Sequence, residues 1–388
     1  MNNEMSRRAA NGTRVVDSIW IGRTPVSFRA LCERAVPPET RLLVLDLDRT
    51  LHLGRNMGEL LGWEISAYRG YGSAYLEELE PRRSRGRMYI DLRRPLMAAR
   101  YLWRAARVWG PPGLFYLLWC KIAARVSLLR RRSYTRFGPE PVHAVQRIPQ
   151  DVLFGQMASL PPAIVRELAA RVWARYARDQ TVEREDLDWL RLRCPGVRIV
   201  LSSASPRVVA EIAGRELGFD DVIASSPGHI NGGRAKLAEL CARYPALRAS
   251  EAVTVGISDT GYGEDHCWTD AFTHVVDVNS TSPFPPIVSA SSPLRAIFSA
   301  LILTRAEKEA RQRGDTWLDP RRGKGAGVTR EFQRQELEAL LAPLRAAIER
   351  FTDAEDGPVA EVAFALASAR ERARRVLEEA PPRQLVLD

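Results

Sequence analysis

The sequence predicts an α/β fold: a doubly wound parallel sheet with an inserted helical cap and a helical C-terminal extension. Short runs that are apolar on both faces recur along the chain, as central strands covered by helices require. Helix-like stretches separate the later runs, the alternation that right-handed strand–helix–strand crossovers produce. One long interval breaks this rhythm and reads as helical.

Residues 1–40 form a polar start and then a short helical or irregular lead-in, closed by Pro37-Pro38. No apolar stretch follows Arg7 and Arg8, so no secretory signal is expected. Arg41 to Leu47 is the first strand-like run. Further runs lie at Val197–Leu201, Asp221–Ala224, Ala252–Ile257 and Thr273–Val278, with helical stretches at Pro206–Leu217 and Arg234–Tyr244. After Pro293 the pattern turns helical again. Leu337, Leu340, Leu341, Leu344, Ile348 and Phe351 then mark an amphipathic helix. The expected organisation is an N-terminal extension (1–40), a core (41–55 and 190–300), a helical cap insertion (56–189) and a C-terminal helical extension (301–388).

Within the insertion, Trp109 to Leu129 is strongly apolar and is followed by Arg130-Arg131-Arg132. Pro111, Pro112, Lys121 and Arg125 argue against a spanning helix, which needs roughly 20 mostly apolar residues. Two readings stay open: a buried cap helix, or a helix in which 109–132 makes peripheral contact with a membrane surface. Gly323 to Gly327 lacks the spacing of a phosphate-binding loop and reads as a linker.

The 388 residues are 45% hydrophobic, enough for a substantial core. Lys plus Arg number 57 against 47 Asp plus Glu, a net +10 that suits an anionic partner. Trp103, Arg104, Arg107 and Trp109 are spaced as a helix rather than a stacking platform, so no nucleic acid is expected. The five scattered cysteines read as reduced thiols of a cytoplasmic protein, membrane-associated under the second reading of 109–132.

Asp46 and Asp48 follow the first apolar run, where an open α/β sheet presents its ligand-binding edge. One carboxylate can attack phosphorus, and its neighbour can protonate the leaving oxygen and then activate water. Their mutual repulsion calls for a hard divalent cation, Mg²⁺ by preference. Such a pair also caps turns, and alone it does not decide between the two roles. Three later strand or helix ends add chemistry. Ser202 to Pro206 places hydroxyls before a proline-started helix, Lys236 follows the turn Asn231-Gly232-Gly233, and Asp259, Glu264 and Asp265 follow Val253–Ile257. His266, Cys267 and His274 lack the spacing of a nucleophile–base pair and read as structural.

These motifs resemble the haloacid dehalogenase superfamily of phosphohydrolases, in its phosphoserine-phosphatase-like branch, over Arg41–Leu53 and about 195–280. The resemblance implies a Rossmann-like core, Mg²⁺ and a small phosphorylated substrate. Asp46, Asp48 and Thr50 match the Asp-x-Asp-x-Thr motif, Ser203 to Pro206 the Ser-Ala-Ser-Pro motif, and Lys236 the glycine-turn lysine. It implies Asp46 as nucleophile, Asp48 as general acid/base, and Thr50, Ser203 and Lys236 as phosphate-binding residues. Asp46, Asp259 and the Asp48 backbone carbonyl would hold the metal. Two departures stand out: Arg49 occupies a position where the family commonly has Gly, and the acids after Gly256 are irregularly spaced, so Glu264 or Asp265 would be the remaining acid. The reading from another class is a catalytically weak protein of the same fold that binds a membrane surface or protein partner through its basic cap and C-terminal helices.

Overall fold

The computed structural model describes residues 13–14, 19–73, 75–76, 99, 103, 150–249, 251–259, 265–279, 288–289 and 291–315. The chain divides into two units, Met1–Gly325 and Ala326–Asp388, and every described residue belongs to the first. The arginines of the expected basic cap (Arg82, Arg83, Arg85, Arg87, Arg93 and Arg94), the apolar stretch at 109–129 with its three arginines, Gly323–Gly327, the amphipathic pattern at 337–351 and Glu264 lie outside the described residues. Among the described residues no helix is long and apolar enough to cross a membrane.

The strands are β1 (Thr13–Arg14), β2 (Ile19–Val26), β3 (Thr40–Leu45), β4 (Arg198–Pro206), β5 (Asp221–Ser225), β6 (Val253–Ser258), β7 (His274–Val278), β8 (Val288–Ser289) and β9 (Ala296–Ile302). The helices are α1 (Phe28–Ala35), α2 (Met57–Tyr71), α3 (Pro162–Ala174), α4 (Arg184–Arg193), α5 (Arg207–Leu217), α6 (Gly233–Arg243) and α7 (Arg305–Gln312). Seven strands form one sheet in the order β2-β9-β7-β6-β3-β4-β5, every neighbouring pair parallel. This is the doubly wound α/β sheet that the apolar runs predict. From β3 the chain moves outward through β4 and β5, then returns to β6 on the other flank of β3. The winding direction reverses there, which opens a crevice at the carboxyl end of β3.

Alternation along the strands divides the core. Leu43, Leu45, Ile199, Leu201, Val255 and Ile257 face α1 to α5 in one apolar cluster. Leu42, Val44, Val200 and Ile223 point the other way, toward Leu240 of α6, Trp268 and Phe272. Helices α2 and α3, from the interval 56–189, place Leu61, Ile65, Leu168 and Trp173 in the first cluster.

Two strands depart from expectation. Residues 19–26 were expected to be irregular or helical and instead form edge strand β2, parallel to β9. Gly22 and Pro25 disguise it, and the register shifts between Gly22 and Val26; an edge strand tolerates a proline because one side of its backbone needs no partner. Residues 296–302 were expected to be helical and are β9. A short apolar run such as Ala296 to Ile302 does not by periodicity distinguish a buried strand from a buried helix.

Candidate active site

Asp46 directly follows β3, its N–H donating to the Ile257 carbonyl of β6 at 2.9 Å. Its carboxylate meets the Lys236 ammonium, Nζ to Oδ1, at 2.7 Å. The same ammonium donates to Asp265 Oδ2 at 2.9 Å, and Ser258 Oγ donates to that oxygen at 2.6 Å. Lys236 is 2% exposed, and its Nζ stands 4.8 Å from the Trp268 ring centroid. Burial works against its charge, but the charges of Asp265 and Asp46 outweigh that and raise its pKa above the ordinary value. Burial likewise lifts Asp46 from 3.8 to about 7; Lys236 opposes this, while Asp265 and Asp48 add to it.

Asp48 lies beside the sheet edge with both oxygens engaged. Met57 N–H at the start of α2 donates to Oδ1 at 2.8 Å, and Ser205 Oγ donates to Oδ2 at 2.6 Å. Asn56 Nδ2 reaches Oδ2 at 3.1 Å, and His52 Nε2 lies 3.3 Å from Oδ1. Asp48 thus accepts the first N–H of α2, a contact that supports the helix start beside its N-cap Asn56.

Asp259 follows β6, and burial pushes its pKa well up, with the Asp46 charge the next contributor and Arg49 opposing. Arg49 Nε lies 3.3 Å from Asp259 Oδ2. Arg49 has a φ of 61°, the left-handed region that costs a residue with a Cβ about 1–2 kcal/mol. Asn279 Nδ2 donates to the Arg49 carbonyl at 2.9 Å and so holds this turn against the end of β7.

The remaining sequence-predicted residues are buried more deeply than their expected roles suggest. Ser203 is fully buried, and its Oγ accepts from Ser205 N–H at 3.0 Å. Thr50 is also fully buried; its Oγ1 has no hydrogen-bond partner among the described residues, and its carbonyl accepts from the Thr181 hydroxyl. Asn231 Nδ2 donates to the Ser203 carbonyl at 2.9 Å and to that of Ile223 at 3.2 Å, tying β4 to β5. Sequence reasoning did not single out His52, Asn56, Ser205, Ser258, Asn231 or Trp268. Ser205, Ser258 and Asn231 lie within or beside the motifs, but no spacing distinguishes them from their neighbours. Cys267 is buried, and His274 Nδ1 lies 3.1 Å from Thr273 Oγ1, in keeping with structural roles.

The donor set fits a hard divalent cation in its chemistry: Asp46 is a buried carboxylate and Asp259 a partly buried one, the Asp46 charge raises the proton affinity of Asp259, and Asp265 raises that of both. Among the described residues no group of three or more His, Cys, Asp and Glu side chains is placed to hold a metal. Two carboxylates suffice for Mg²⁺, which keeps several waters and takes substrate phosphate oxygens.

Residues 113–262 match the family model described as haloacid dehalogenase-like hydrolase. That span includes Ser203, Lys236 and Asp259; Asp46 and Asp48 precede it, and Asp265 follows it. No curated protein matches the sequence. Among solved structures, a protein of unknown function from Bordetella pertussis Tohama I is 15% identical, with 72% of this chain and 99% of that one covered and a TM-score of 0.36. A substrate-bound phosphoserine phosphatase is 13% identical, over 71% and 98%, at 0.31. A probable phosphoserine phosphatase from Vibrio cholerae is 15% identical, over 74% and 70%, at 0.28. Scores this low do not bear on the chemistry. Over residues 113–262 the chain is thus similar to haloacid dehalogenase-like hydrolases, and its seven-stranded parallel sheet is a doubly wound α/β fold.

Proposed function

We propose that the protein is a Mg²⁺-dependent phosphatase that hydrolyses a small phosphomonoester through an aspartyl-phosphate on Asp46. The observation that carries this reading is the buried Lys236 ammonium 2.7 Å from Asp46 Oδ1, at the carboxyl end of the central strand. Lys236 occupies Oδ1 and leaves Oδ2 as the attacking oxygen. As the phosphorus–oxygen bond of the substrate breaks, Asp48 gives a proton to the leaving oxygen. Asp48 then takes a proton from the water that cleaves the acyl phosphate and regenerates Asp46. Lys236 offsets negative charge on the transferring group, a stabilisation that strengthens in a water-poor site. Asp46, Asp259 and the Asp48 carbonyl would hold Mg²⁺, which when bound neutralises phosphate charge and orients the transferring group. Thr50 and Ser203 are the phosphate-binding residues that the motif resemblance implies, although both are fully buried. Substrate choice belongs to the insertion at 56–189, set between core segments 41–55 and 190–300.

Asp46→Asn tests the reading. Hydrolysis of an aryl phosphate should fall by about 10³-fold or more, because the amide removes the nucleophile, while the circular dichroism spectrum is retained. Retained turnover sinks the mechanism. One observation favours a second reading, a catalytically weak protein of this fold that binds a membrane surface or protein partner. The Arg49 guanidinium already pairs with Asp259, a carboxylate the metal needs. Folded wild-type protein with no Mg²⁺-dependent hydrolysis of any phosphomonoester would decide for it.

A further inference from the structure

His52 is fully buried, four residues past Asp48, and the mechanism above gives it no part. Its ring stacks on Tyr176, centroids 4.5 Å apart at 27°, and meets Trp173 edge-on at 6.5 Å. Gly54 N–H donates to Nδ1 at 3.0 Å. With Nδ1 accepting, the hydrogen of the neutral imidazole sits on Nε2. Nε2 in turn faces Asp48 Oδ1 at 3.3 Å.

The surroundings hold this arrangement. A Cβ on Gly54 would fall 1.6 Å from the Tyr176 ring, so only glycine lets that ring lie over His52 while its N–H reaches Nδ1. Tyr176 Oη donates to the Arg55 carbonyl at 3.0 Å. Leu53 N–H to Asp179 O at 3.0 Å and Thr181 N–H to Leu51 O at 2.9 Å lock the His52 backbone against the segment before α4. Of the side chains that donate to Asp48, Asn56 is exposed and Ser205 presents a rotatable hydroxyl, whereas the His52 ring is packed by aromatic rings.

We propose that His52 is a positioning residue for Asp48: its clamped ring directs Nε2–H at Oδ1 and fixes the orientation from which the carboxylate exchanges protons with the leaving oxygen and with water. This rests on the phosphatase reading, in which Asp48 is the general acid/base. A merely buried, satisfied histidine would share the packing, but its replacement would not alter turnover selectively.

The test compares His52→Phe, which keeps a stacked ring without the N–H, with His52→Gln, which restores a donor without the ring. Both are made in the full chain and assayed on an aryl phosphate at saturating Mg²⁺. His52→Phe should lower kcat by about 10- to 100-fold, the range for removing a group that orients a functional side chain, with KM within about threefold of wild type. His52→Gln should recover most of that kcat. Unchanged kcat in His52→Phe, equal losses in both variants, or a loss confined to KM would overturn the proposal. If His52→Phe does not fold, Tyr176→Leu must lower kcat at unchanged KM, and an unchanged kcat there overturns it. Wild type and Asp46→Asn are assayed alongside. An inactive wild type defeats the phosphatase reading and this inference with it. An active wild type, an inactive Asp46→Asn and a fully active His52→Phe defeat this inference alone.

Discussion

Lys236 joins residues that the chain keeps far apart, holding Asp46 at 2.7 Å and Asp265 at 2.9 Å in a site where burial raises proton affinity on Asp46 and Asp259. The sign of the consequence is fixed. In the folded metal-free protein burial lifts the Asp46 carboxyl from the ordinary 3.8 to about 7, so this group makes stability fall as pH rises through that window. A bound cation needs the deprotonated carboxylates. The Mg²⁺-induced rise in Tm should therefore be small near about pH 5 and grow toward about pH 8, and Asp46→Asn should flatten it. Thermal melts with and without Mg²⁺ across that range check this; a shift independent of pH would contradict it. Asp46, Asp48 and Lys236 were legible because each follows a strand or glycine turn. His52 was not, because its role depends on Gly54 and on Tyr176 more than a hundred residues away.

At the level of the element, β6 shows how a strand serves the site from beneath. Gly256 sits mid-strand, and a Cβ there would lie 2.5 Å from the Trp268 ring and 3.3 Å from Phe272. The glycine admits Trp268 against the sheet, and the same indole ring faces Lys236 Nζ. Gly256→Ala should destabilise the fold by about 1–3 kcal/mol through overpacking, read as a lower midpoint in urea. No loss would show that Trp268 can move aside at little cost. In β4 the extended chain runs on through Ser205 to Pro206, past the end expected from its apolar run, because Ser203 and Ser205 are held by Asn231 and Asp48. Those partners come from other elements, and no local pattern announces them.

The whole molecule places its chemistry by strand order. β3 is flanked by β4 and β6, so the ends carrying Asp48, Ser205 and Asp259 converge, and α6 brings Lys236 across from beyond β5. The far edge of the sheet is closed by β2, which pairs with β9 from Ile19 to Val26. Deleting residues 1–26 would leave β9 with unpaired backbone donors and acceptors along an apolar edge, a template for association. The truncated protein should lose soluble yield or elute as larger species in size-exclusion chromatography. A monodisperse product with an unchanged Tm would show that β2 is dispensable.

By itself the sequence determined the fold class, the strands β3 to β7 and the residues that follow them, because double-sided apolar runs and the glycine and proline punctuation are local properties of the chain. The tertiary structure alone decided that 19–26 and 296–302 are strands, since their pairing partners, not their composition, make them so. It also decided that Arg49 meets Asp259, that Ser205 rather than Ser203 reaches Asp48, and that His52 is clamped beneath the site. Each of those is a contact between segments distant in the chain, set by strand order and side-chain packing.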